Sequence, residues 1–124
     1  MDILILNWKD VKNPTKGGAE VIAFEFAKRL VKEGHSVTFF SRSFAGAQPE
    51  EIIDGVKIVR RGNPITVYIY AYFYYKNLSK KPDKVVDMVN TICWQTPLYV
   101  PKGNRVMYVN QLAQEVFFYE LPFP

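Results

Sequence analysis

Two adjacent glycines, Gly17 and Gly18, stand directly before a run of helical periodicity. The amino end of a helix carries unpaired N–H groups and a partial positive charge, and glycine lets an anion come close to the backbone. The pair therefore either cradles an anion or serves only as a tight turn. Neither a G-x-G-x-x-G fingerprint nor a P-loop is present, which argues against an NAD or ATP site of those types. Trp8, Lys9 and Asp10 follow the first apolar run. They either offer a ring and charges for stacking on a sugar and binding its hydroxyls, or form a solvated loop. His35 is the only histidine and Cys93 the only cysteine. That excludes a disulfide framework and the common four-ligand zinc sites. His35 follows Gly34 at a helix carboxyl end, which suits a structural role capping carbonyls. Cys93 has no identifiable partner base and reads as a packing residue.

These residues need a scaffold. Ile3 to Leu6 is an unbroken apolar run, as in a central parallel strand buried on both faces. A polar loop with Pro14 follows, then a helix from about Ala19 to Glu33. Its core face is Ala23, Phe26, Ala27, Leu30 and Val31, with Gly34 past its end. Ser36 to Ser41 is a second strand. Strand, helix and strand form a βαβ unit, and hence a parallel sheet with helices on its faces. Asp54-Gly55 marks a hairpin whose stronger strand is Val56 to Arg60. Asn63 and Pro64 form a helix start. Ile65 to Lys81 alternates as a strand would but also carries a helical stripe of Val67, Ala71, Tyr75 and Leu78. Its length predicts a helix. Lys84 to Val89 and Arg105 to Val109 are further strands. The stretch from Thr91 to Lys102 is mostly loop.

The chain has 124 residues, of which 48% are hydrophobic and 15% aromatic. That fits one folded domain and excludes disorder. A net charge of +4 permits an anionic ligand, a nucleotide or a membrane surface without demanding one. No RNA-binding motif appears, and nucleic acid is not expected as a partner. The amino terminus lacks the basic region and cleavage site of a signal peptide, so a cytoplasmic setting is expected. Tyrosines from Tyr68 to Tyr75 with Lys76, Lys80 and Lys81 form either a core helix with a basic end or an interfacial helix in peripheral contact with a membrane. Phe117, Phe118, Tyr119, Leu121 and Phe123 are costly to expose. The tail should fold back on its own sheet, pair with a second copy through residues 117–123, or associate. It reads as a chain cut from something longer.

The stretch Ile3-Leu4-Ile5-Leu6-Asn7-Trp8, the block Gly17-Gly18-Ala19-Glu20, and the run from Ala27 to His35 resemble the start of family-4 retaining glycosyltransferases. Supporting matches are Asp54 to Gly62, Thr96 to Tyr99, and Glu115 to Glu120. The resemblance spans essentially the whole chain. It implies an α/β, Rossmann-like three-layer sandwich with a mostly parallel sheet, one half of a GT-B architecture. Residues 1–124 would be the acceptor-side domain, and the nucleotide-sugar-binding domain would lie outside this chain.

By that resemblance, Gly17 and Gly18 lie near the donor diphosphate. Asn110 stands where the family often has a histidine, and Gln114 where a basic residue is expected. Asn110 can orient a sugar by hydrogen bonding but cannot carry a proton at neutral pH. Within the matched stretches, Glu20, Gln111 and Glu115 are further candidates for sugar or acceptor contact. The implied reaction moves a sugar from a nucleotide-sugar to an acceptor, a sugar or a lipid-linked molecule, and needs no metal or separate cofactor. The isolated chain is expected to be inactive, with half the cleft missing. The alternative is a non-catalytic binding module acting through the aromatic carboxyl-terminal segment.

Overall fold

The computed structural model describes residues 1–89, 99–110 and 116–119. Seven strands form one sheet in the order β3-β4-β2-β1-β5-β6-β7. In chain order the elements are β1 (Asp2–Leu6), α1 (Gly18–Lys32), β2 (Ser36–Ser41), β3 (Glu50–Ile53), β4 (Val56–Arg60), α2 (Val67–Asn77), β5 (Lys84–Val89), β6 (Arg105–Asn110) and β7 (Val116–Tyr119). The central five, β4-β2-β1-β5-β6, are mutually parallel, and β3 and β7 close the two edges antiparallel. The chain is therefore α/β and Rossmann-like, as expected.

Alternation along the strands divides the core between two faces. Ile3, Ile5, Val37, Phe39, Ile58 and Val86 point to the side that packs Ala23, Phe24 and Ala27 of α1. Leu4, Leu6, Phe40, Val59 and Val85 point to the other side and pack Val67, Ala71 and Tyr75 of α2. Strands buried on both faces explain the unbroken apolar runs.

α1 presents a slightly different stripe from the one the periodicity suggested. Phe24 is buried, edge-on to Phe39 at 6.4 Å, whereas Phe26, Leu30 and Val31 pack only at the margin. The helix buries Glu20, Ala23, Phe24 and Ala27, all on one face. Its end is a Schellman turn: Gly34 at φ 98° donates to Val31 O, and His35 N donates to Leu30 O. The His35 backbone, rather than its ring, caps the helix. The ring Nδ1 lies 3.0 Å from the Met1 ammonium.

The hairpin forms at Asp54 and Gly55, with φ 51° and 84°, between the paired residues Ile53 and Val56. A Cβ on Gly55 would come within 2.9 Å of Val31 Cγ1, so the glycine also lets the hairpin tip reach α1. The tyrosine-rich segment is the helix α2, not a strand. Asn63 Oδ1 accepts hydrogen bonds from Ile65 N and Thr66 N, and this fixes the chain's entry into the helix. The helix ends at Asn77, four residues short of the expected Lys81.

At the far edge, Val116–Tyr119 pair antiparallel with β6, Asn110 opposite Val116 and Met107 opposite Tyr119. This part of the aromatic tail folds back on the chain's own sheet, one of the three outcomes expected for it. Cys93, Trp94, Leu121 and Phe123 lie outside the described residues. Among the described residues, no helix is long and apolar enough to cross a membrane.

Candidate functional site

Parallel strands send their following loops to one edge. The loop after β1, residues 7–16, leads to the amino end of α1 there. Arg42 after β2, Arg61 after β4 and Asn110 closing β6 belong to the same edge. His35 precedes β2 beside Met1 and so lies at the opposite edge, away from any site built on Gly18.

The loop into α1 is held tightly. Asp10 is fully buried and receives a bidentate contact from Arg60, Nε to Oδ2 at 2.6 Å and Nη2 to Oδ1 at 3.2 Å. Ser41 Oγ and Lys12 N donate to the remaining positions of the same carboxylate. Arg60 Nη1 reaches Glu51 at 2.6 Å and the Gln48 carbonyl at 2.9 Å. Its guanidinium also sits 5.1 Å from the Phe44 ring centroid. Burial works against the charge on Arg60, but the bonds from Asp10 and Glu51 outweigh it, so its pKa moves up. Lys12 first and Arg60 second hold the Glu51 carboxyl below the usual carboxylate range. Asn13 continues the loop, its Oδ1 taking Thr15 N and Oγ1.

This accounts for several sequence candidates. Asp10 faces inward and positions the loop, leaving no oxygen for a ligand. Lys9 is half-buried, with Nζ on the Thr15 carbonyl at 2.8 Å. Trp8 is half-buried beneath the Arg42 guanidinium, 4.4 Å from the ring centroid, and its buried Nε1 has no hydrogen-bond partner among the described residues. Glu20 is buried, and its Oε1 accepts from Gly17 N at 2.7 Å, so it serves the helix start. Asn110 ends β6 at the expected edge. Gln111, Gln114 and Glu115 lie outside the described residues.

Gly17 and Gly18 are both exposed. Neither has a positive φ; Gly17 is at φ −125° and ψ −164°, extended backbone open to any residue. A Cβ on Gly18 would meet nothing within 4 Å, and one on Gly17 only Glu20 Oε1 at 3.7 Å. The turn does not require these glycines. The N–H groups of Gly18, Ala19 and Glu20 open the helix, and among the described residues no side chain caps them. The result is three backbone donors at the positive end of a helix of 15 residues, with no side chain on either Gly17 or Gly18.

Sequence reasoning missed Arg42 and Arg60. The signal available was position: each stands at or just past the carboxyl end of a strand, where α/β sheets bind ligands. Periodicity could not say that Arg60 turns inward to Asp10 while Arg42 stays half-open over Trp8.

The description "Glycosyltransferase Family 4" belongs to the family model that matches residues 16–99 of the chain. That span begins one residue before Gly17 and ends at Tyr99, covering α1, α2 and the strands from β2 to β5. A comparison with curated proteins found no match.

Proposed function

The chain belongs to glycosyltransferase family 4, and from that premise we propose that it forms the acceptor-side half of a retaining sugar-transfer enzyme of GT-B architecture. A nucleotide-sugar is the donor. The bond from its anomeric carbon to the diphosphate breaks, a bond to the acceptor oxygen forms with the configuration kept, and the acceptor's hydroxyl proton leaves with the diphosphate. The diphosphate gains negative charge as it leaves. Donors already aimed at that position stabilise it without reorganising, which is the usual source of electrostatic catalysis.

The observation that carries this reading is the open amino end of α1. Gly17 and Gly18 occupy backbone any residue could adopt, and a Cβ at Gly18 would point into empty space. We read the glycines as leaving room for a ligand, since the turn itself does not require them. Arg42, fixed over Trp8 at the same edge, adds a cation. Asn110, Trp8 and Lys9 border the edge and are assigned to sugar or acceptor, as are Gln111 and Glu115 from the family pattern, whereas Glu20 is assigned to the helix start. Asp10 is assigned instead to positioning the loop. The nucleoside is held by a second domain not contained in residues 1–124, so this chain alone turns over no sugar nucleotide. A binding module acting through the aromatic tail is the weaker reading, since Val116–Tyr119 are engaged in the chain's own sheet.

The test is an amide NMR titration of the chain with inorganic pyrophosphate. The Gly18, Ala19 and Glu20 amides should shift together, with Gly34 and Gly55 still. Shifts confined to other residues, or none at millimolar pyrophosphate, would overturn the assignment.

A further inference from the structure

Trp8 holds a cation on a ring that the fold has already fixed. The indole packs against the core cluster of Leu6, Phe40 and Val59. The Arg42 guanidinium lies 4.4 Å from its centroid, and Lys9 Nζ lies at 5.3 Å. The backbone beneath is fixed as well, because the hydrogen-bond ladder runs on past the strand ends. Arg42 N donates to Trp8 O, Arg61 N to Ser41 O and Ser43 N to Gly62 O, each at 3.1 Å. A guanidinium resting on a ring is held in place while its N–H groups remain available at the rim. That rim matches a carboxylate or phosphate with two parallel bonds. Among the described residues, the Arg42 guanidinium makes no hydrogen bond and no ion pair.

The loops around Arg42 are short of acid. Residues 7–16, 42–49 and 61–66 follow β1, β2 and β4 at this edge. They hold five cations, Lys9, Lys12, Lys16, Arg42 and Arg61, against one acid, Asp10. Asp10 is matched to buried Arg60, and Lys12 and Arg61 reach Glu51 and Glu50 of β3. Lys9, Lys16 and Arg42 meet no carboxylate among the described residues.

Arg42 is also set apart from the amide end of α1. Trp8 belongs to the sheet face that packs α2, whereas α1 packs on the other face. In the turn into α2, on the side of Arg42, the Ile65 and Thr66 amides are taken by Asn63. A charged side chain is therefore what this side offers an anion. A diphosphate, whose phosphorus atoms share one oxygen, sits at one of these places and not across both.

We infer that Arg42, stacked on Trp8, determines specificity for an acceptor sugar that carries an oxyanion, a carboxylate or a phosphate. A neutral acceptor would desolvate the guanidinium without supplying a counter-charge, and this disfavours it. The inference rests on the sugar-transfer reading for calling this ligand the acceptor.

The experiment is an NMR titration of the nitrogen-labelled full chain with glucuronate, glucose-6-phosphate and glucose. At least one charged sugar should shift the Arg42 Nε–H and Trp8 Nε1–H signals together, and the tighter of the two identifies the anion as carboxylate or phosphate. Glucose should bind at least about tenfold more weakly, for want of a charge-assisted pair. Arg42→Gln should weaken the charged sugar by at least about tenfold. The same variant should weaken pyrophosphate, followed at the Gly18 amide, by less than about threefold, the screened effect of one more distant charge. Arg42→Lys should recover only part of the loss, because an ammonium lacks the planar fork. Circular dichroism checks that both variants keep the fold. Glucose binding as tightly as the charged sugars, no shift at Arg42 at tens of millimolar, or Arg42→Gln without effect overturns the proposal. So does an equal loss of pyrophosphate and charged sugar in Arg42→Gln, since one anion site would then serve both. Pyrophosphate that leaves the Gly18 amide unmoved overturns the diphosphate reading instead, while the Arg42 signals still decide this one.

Discussion

Both helices follow parallel strands and begin at the same edge of the sheet, yet their amino ends are finished differently. At the start of α2, Asn63 Oδ1 takes two backbone N–H groups, Ile65 and Thr66, and Thr66 Oγ1 accepts from Asn63 N in return. At the start of α1 the flanking residue is Gly17, which has no side chain to offer, and Glu20 reaches back only to Gly17 N. The turn leading into α2 is fixed by its own asparagine, while the amino end of α1 has no such side chain. The loop before the open end is the more elaborately fixed, through Asp10 and Arg60. Rigid support behind unsatisfied donors is what a preformed anion site requires.

The largest expected effect comes from breaking that support. Asp10→Ala leaves buried Arg60 with Glu51 as its one remaining carboxylate, beside the Gln48 carbonyl, and should cost about 3–5 kcal/mol in urea unfolding. Pairing it with Arg60→Met removes the stranded charge and should recover most of the loss, because an apolar substitute for a buried pair is often near neutral. If the Asp10→Ala chain is as stable as the parent, the loop is held by something else. The comparison between the two helix starts then loses its structural half.

Next is the capped end. Asn63→Ala should destabilise the chain by about 1 kcal/mol, the usual worth of an amino-terminal cap. Gly17→Ala, at the end with no side-chain cap to lose, should cost less, about half a kcal/mol, since alanine is disfavoured relative to glycine at this position. Equal losses from the two would mean that the starts are not finished differently in energy.

A smaller effect follows from acid. Glu51, bonded to Lys12 and Arg60, and Glu50, bonded to Arg61, are both held below the ordinary carboxylate value. The unfolded chain therefore takes up protons first as pH falls. The stability these carboxylates contribute is whole above the ordinary glutamate pKa and drains away as pH drops through their lowered folded values. Both face solvent in part, so the change should be modest and reduced by salt. Unfolding midpoints that stay constant from neutral pH down through the glutamate range would show these pairs to be idle.

Much of this architecture was legible in the residues. The boundaries of β2 and β5 coincide with expectation, because a buried parallel strand is an apolar run between breakers. α1 was legible from its period and from Gly34. The identity of α2 rested on length and on Asn63, since alternation and helical stripe coexist in the same tyrosines. Other features were hidden for physical reasons. Asp10 and Arg60 stand fifty positions apart, and no local pattern reveals that two polar residues meet inside. Phe24 rather than Phe26 is the fully buried ring because the buried face runs through Glu20, Ala23, Phe24 and Ala27, an offset that periodicity alone left open. Gly17 and Gly18 were recognised as candidates, but the choice between a tight turn and an open cradle needed their backbone angles.

That choice also sets the smallest and most discriminating prediction. Gly17 already has the extended backbone of a helix-flanking residue, and Glu20 already occupies the third helical position with its carboxylate on Gly17 N. Gly17→Ser would therefore complete a capping box, its hydroxyl accepting from the Glu20 N–H. The new Cβ meets only Glu20 Oε1 at 3.7 Å, an ordinary contact, so no strain opposes it. Stability should rise by a few tenths of a kcal/mol, the usual margin of serine over glycine at this position. Pyrophosphate binding should fall at the same time, by about 3- to 10-fold, since one of three donors is taken by the chain itself. A glycine present only for its turn predicts a different pairing: stability lowered or unchanged, and anion binding unaffected. Opposite movement of stability and binding under one substitution would show that α1 was left uncapped for a ligand. If Gly17→Ser bound pyrophosphate as well as the parent, the open end of α1 would be an unfinished helix and nothing more.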